Sequence, residues 1–117
     1  MSEEPLHGSP TAAELVTAVR EFLESDVMAA TEGRVQFHTR VSVNALRMVE
    51  RELELGAAQE DAHAAALARL GVADEAALAK AIRDGSLDDR RDEVFTVVRD
   101  TVRAKLEVAN PRYLEET

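Results

Sequence analysis

Residues 34–55 read RVQFHTRVSVNALRMVERELEL, and their periodicity decides the fold. Val35, Phe37, Val41, Ala45, Leu46, Met48, Val49, Leu53 and Leu55 recur at helical spacing and cover about half the circumference of a 3.6-residue helix. An arc that wide predicts a central helix touching several neighbours. Gly56 follows it and reads as a left-handed stop. Arg40, Asn44, Arg47 and Arg51 fall in a strip roughly 60° wide along the edge of the arc, and His38 projects from within it.

Working outward, a first helix is predicted from Pro10 or Ala12 to about Ala29. Thr11 and Glu14 have capping-box spacing, and Leu15, Val19, Phe22 and Leu23 form its apolar stripe, widened by Val16 and Val27. Beyond Gly56, an alanine-rich helix is expected from Ala58 to Leu70, with Leu70-Gly71-Val72 as a Schellman stop. A short helix follows, capped by Asp74, ended by Gly85, and facing inward through Leu78 and Ile82. The last runs from Asp88 or Asp89 to about Val108, with Val94, Phe95, Val98, Val102 and Leu106 as its stripe and Lys105 on the same face. Asn110-Pro111 stops it, and Tyr113 and Leu114 are expected to pack back. No segment keeps a strand period. The expected fold is all-α, a single-domain bundle of about five helices over residues 10–117, preceded by a mobile tail over residues 1–9.

Composition narrows the function. Asp and Glu number 23 against 14 Lys and Arg, a formal charge of -9, which opposes binding to nucleic acid or anionic membrane. No cysteine is present, so disulfides, thiolate catalysis and cysteine-based zinc sites are excluded. No apolar run approaches the ~20 residues of a membrane span, and the expected location is cytoplasmic. No Gly-rich phosphate loop or nucleophile elbow occurs.

Four constellations remain. Arg40, Arg47 and Arg51, with Asn44, offer forked donors to a phosphate or carboxylate; against this, Arg47 has Glu50 and Arg51 has Glu54 three residues on, each a local ion-pair partner. His38 is either a proton carrier or a buried, hydrogen-bonded imidazole. Asp26 and Lys105, each inside an apolar stripe, need opposite charges if buried, whether each other or, for Asp26, an arginine of the second helix. Glu60 and His63 form one Glu-x-x-His motif, where a di-iron bundle needs two and further glutamates, so no metal is expected.

The run from Glu32 through Val41, continued in Asn44-Ala45-Leu46 and Val49-Glu50-Arg51-Glu52-Leu53, resembles a bacterial family of uncharacterised small helical domains. Thr101 to Leu106 and Asn110 to Leu114 share the resemblance. Members are typically found beside or joined to aminoglycoside- and choline-kinase-like phosphotransferases, often near acyl-CoA dehydrogenase genes. The resemblance implies an accessory role in small-molecule or acyl-CoA metabolism and carries no catalytic residues. The expected function is a non-enzymatic interaction module, without cofactor, that partners a kinase-like phosphotransferase or itself. The alternative is a small-anion domain, for phosphate, nucleotide or an acyl-CoA headgroup, using Arg40, Asn44, Arg47, Arg51 and His38.

Overall fold

A computed structural model describes residue 6 and residues 8–115, and among these every regular element is helical. The order is α1 (Ala12–Phe22), a π-helical segment (Leu23–Val27), α2 (Met28–Ala30), α3 (Gly33–Arg69), α4 (Glu75–Asp84), a 3-10 turn (Asp88–Arg90), α5 (Arg91–Ala109) and α6 (Pro111–Glu115). Most of the tail expected over residues 1–9, His7 included, lies outside the described residues. Packing divides the chain into two compact units, Met1–Glu54 and Leu55–Thr117.

Local signals act as their chemistry dictates. Thr11 caps α1, its hydroxyl accepting from Glu14 N while Glu14 Oε1 accepts from Thr11 N at 3.0 Å. Asp74 accepts from Ala77 N to open α4, and Gly85 closes that helix at φ 82°. Gly71 N and Val72 N donate to Ala68 O and Leu67 O, the Schellman pattern, with Gly71 at φ 76°. Arg90 Nη2 donates to Arg69 O at 2.8 Å and satisfies a further carbonyl at the end of α3. Because a side chain in the left-handed region is strained, Gly71→Ala should cost about 1–2 kcal/mol in urea unfolding.

Gly56 does not break the chain. The two helices expected on either side of it are one 37-residue helix, α3. A helical glycine costs only about 1 kcal/mol against alanine, and Ala57, Ala58 and the alanines beyond sustain the helix. The alanine-rich stretch is therefore part of the long helix and not a helix of its own.

In the first unit α1 runs antiparallel to the N-terminal half of α3, as the pairs Thr17–Glu50, Glu24–Arg47 and Met28–Gln36 show. Gln36 Nε2 donates to Met28 O and Thr31 O, satisfying carbonyls where the first helical stretch ends. Among the described residues of this unit Thr39 and Val43 are buried, with Gln36, Leu46 and Glu50 half-buried on the same side of α3. In the second unit Leu67, Leu70, Leu78, Leu87 and Val97 form a core cluster flanked by Ala66, Val72, Ala81 and Val94.

Four expected faces are turned. The stripe Leu15, Val19 and Phe22 is about half exposed, while Val16, Leu23 and Val27 lie half-buried. On α5 the buried side is Val94, Val97, Thr101 and Ala104, leaving Phe95, Val98 and Val102 exposed roughly a third of a turn away. Ile82 and Tyr113 also face out, at 45% and 53% exposure. On α5 the packed row carries the smaller or hydroxyl-bearing side chains, and Thr101 satisfies its hydroxyl on Val97 O at 2.8 Å.

Candidate functional site

One edge of the α1–α3 hairpin is polar. Arg20 Nε donates to Glu50 Oε1 at 2.5 Å, and Thr17 Oγ1 donates to Glu50 Oε2 at 2.8 Å. Arg20 also reaches Glu24 at 3.2 Å, and Arg47 Nη2 donates to the other Glu24 oxygen. The Arg20 hydrogen bond, then that of Thr17, holds the Glu50 carboxyl below its ordinary value, and the same bond raises the Arg20 guanidinium.

A depressed carboxyl stabilises the fold above its unfolded value near 4.5, and that contribution is lost as pH falls through the lower folded value. Arg20 stays charged throughout this range and adds no step. Urea unfolding should therefore show stability declining below pH 4.5, with a shallower decline in Glu50→Gln.

The expected arginine site divides along this edge. Arg47 is committed to Glu24 across the hairpin, and its expected local partner Glu50 is taken by Arg20. Arg51 is half-buried, while Asn44 and Arg40 are exposed, Arg40 without an ion pair among the described residues. His38 is exposed, neither a buried imidazole nor the wall of a cleft; its ring meets Phe37 edge-on at 5.5 Å. Of the arc in which it sits only Leu46 and Leu55 are half-buried; the row facing α1, with Thr39 and Val43 buried, lies beside the arc. Two open depressions, of about 400 and 290 Å³, are lined by Ala13, Glu14, Thr17, Ala18 and Glu21, and by Ala66, Arg69, Leu70 and neighbours on α5. Neither takes in any residue of the strip.

The opposite edge of the hairpin is apolar. Leu15, Val19 and Phe22 lie within about 60° of one another on α1, as do Val35, Leu46, Val49 and Leu53 on α3. With the helices antiparallel and the polar pairs on one side, both rows fall on the other. Apart from half-buried Leu46, these side chains are 38–56% exposed, and Phe37, Val41 and Met48 extend the surface around α3 at 40–57%. The second unit carries its own exposed row on α5, with Phe95 at 67%.

Sequence reasoning missed a polar cluster in the second unit. Thr101 spends its hydrogen on Val97 O, so at 3.2 Å it accepts from His63 Nδ1–H. His63 Nε2 is shielded from solvent and lies 3.2 Å from Glu75 Oε1, off line for a hydrogen bond. Lys105 Nζ reaches the same oxygen at 3.6 Å, and Gln59 Nε2 donates to Ala104 O at 3.0 Å. The only signal in the sequence was Gln59 and His63 one turn apart. Lys105 and Asp26 are both exposed, so neither needed a buried counter-charge; Ser25 Oγ donates to Asp26 at 3.1 Å. Among the described residues no three His, Asp or Glu side chains are grouped to hold a metal ion. No helix there is long and apolar enough to cross a membrane.

The profile of a domain of unknown function, DUF6285, matches residues 29–113, from the end of α2 into α6. The chain belongs to the DUF6285 family. In this DUF6285 chain α1, which completes the hairpin, precedes the matched residues. No curated protein and no solved structure matches the chain.

Proposed function

We propose that this DUF6285 chain is a non-enzymatic interaction module that docks through apolar helix faces. The observation that carries the reading is the apolar edge of the hairpin, where six large side chains at helical spacing stay about half exposed while the facing row packs. Exposed apolar surface of this extent marks a binding site. The partners we propose are a kinase-like phosphotransferase in small-molecule or acyl-CoA metabolism, as the sequence resemblance suggests, or a second copy of the chain, acting in the cytoplasm. Against the anion-binding alternative stands the commitment of Arg47 to Glu24.

The test is calorimetric titration of the purified chain with inorganic phosphate, ATP and coenzyme A, alongside a purified phosphotransferase of the aminoglycoside-kinase type from the same genome. The reading expects no heat from the three anions and protein association, with the phosphotransferase or with itself, that Phe22→Glu weakens at least about tenfold. Micromolar anion binding lost in Arg40→Ala would replace it with the anion-binding alternative.

A further inference from the structure

We infer that the occupant of the apolar edge is the same edge of a second copy, two α1–α3 hairpins closing into a four-helix bundle. The inference rests on the docking reading above and adds the identity of the partner.

A two-helix hairpin with one apolar side is half a bundle. Alone it buries Thr39 and Val43, with no large side chain fully covered among the described residues. Paired with itself, each helix gains a second neighbour, and one patch serves both partners, as a two-fold interface requires.

The area reaches the lower bound: Leu15, Val19, Phe22, Val35, Val49 and Leu53 together expose on the order of 500 Å², so two copies bury about 1,000 Å², the least a specific interface needs.

Charge permits self-association here. Residues 12–54 hold Arg20, Arg34, Arg40, Arg47 and Arg51 against Glu14, Glu21, Glu24, Asp26, Glu32, Glu50, Glu52 and Glu54, a net of 5 − 8 = -3, in a chain of -9. Between Leu15 and Phe22 on α1, and among Val35, Leu46, Val49 and Leu53 on α3, the apolar rows contain no charged residue. Ser42, beside them, already donates its hydroxyl to His38 O at 2.9 Å. Two copies can meet between Leu15 and Phe22 without burying a charge, and Asp26, one turn further along the same stripe and exposed, falls at the rim.

The chain lacks cysteine, so a single thiol can be placed at will. In Val19→Cys and Phe95→Cys variants, alkylation by iodoacetamide is followed at about 1 μM and about 100 μM protein, either side of a micromolar Kd. The inference expects the Val19 thiol to react roughly four- to sevenfold more slowly at the higher concentration, as the monomer fraction falls for a Kd of about 1–10 μM, and the Phe95 thiol to react equally at both. Sedimentation should give twice the 12.8 kDa chain mass for wild type and the single mass for Val19→Glu, with helicity retained. Equal reactivity of the Val19 thiol at both concentrations, with a wild-type monomer at about 100 μM, overturns the inference. Should that chain still bind the phosphotransferase and lose it in Phe22→Glu, the docking reading survives and only the second copy is wrong.

Discussion

Leu70→Ala should destabilise the protein by about 3 kcal/mol, read by thermal unfolding at 222 nm. Leu70 is 4% exposed and belongs to the cluster of Leu67, Leu78, Leu87 and Val97, which brings α3, α4 and α5 together. Truncation leaves a cavity bounded by helix backbone on several sides, so little can collapse into it. Hydrogen exchange should accelerate along α4 and the first turns of α5. The contrast is Phe95→Ala, which removes a larger side chain from the outer face of α5 and should change monomer stability by no more than about 0.5 kcal/mol. If Phe95→Ala is the more damaging of the two, the face assigned to α5 is wrong.

Gly56→Pro should cost about 3 kcal/mol or more, with visible loss of helicity. Inside a continuous α3 the proline ring would collide with the carbonyl of Glu52 and remove a hydrogen bond in mid-helix. Gly56→Ala should have the opposite sign, adding about 0.5–1 kcal/mol, because a helical glycine is replaced by the strongest helix former. A glycine acting as a helix stop gives the reverse pattern: proline tolerated, alanine destabilising. Urea unfolding of the two variants decides between one helix and two.

These two sites also show where the sequence was legible. Signals that act within five residues read correctly: the Thr11–Glu14 box, Asp74, Gly85 and Leu70-Gly71-Val72 each set a boundary through bonds to their own neighbours. Gly56 misled because the stop signal of a glycine is conditional on a left-handed backbone, and Gly56 is helical while Gly71 and Gly85 are left-handed. Facing direction on α5 was ambiguous for a different reason. Val94, Val97, Thr101 and Ala104 form one row, Phe95, Val98 and Val102 another, and the second is the more hydrophobic. The packed row is the one that fits close to α3, where Gln59 and His63 meet Ala104 and Thr101.

The candidate site was half legible for the same reason. The strip Arg40, Asn44, Arg47 and Arg51 follows from helical geometry, but the partner of Arg47 is Glu24, 23 residues away on another helix. The local pairs Arg47–Glu50 and Arg51–Glu54 that spacing suggested give way at Glu50 to Arg20 and Thr17, which bring two hydrogen bonds where a surface pair brings little. The broad apolar arc on α3 implied several neighbours, but the buried row is Thr39 and Val43, outside the arc, and of the arc's members only Leu46 and Leu55 are half-buried. The unpacked row Val35, Val49 and Leu53, with Leu15, Val19 and Phe22 of α1, is the surface we assign to a partner.

The central claim is that this chain works through its apolar helix faces and not through its arginines. Sedimentation equilibrium of Phe22→Glu beside Arg40→Ala, at about 100 μM, tests it most directly. The account predicts that Phe22→Glu sediments at the 12.8 kDa chain mass and Arg40→Ala at twice that value, as wild type does. A dimer that survives Phe22→Glu and dissociates in Arg40→Ala would contradict it.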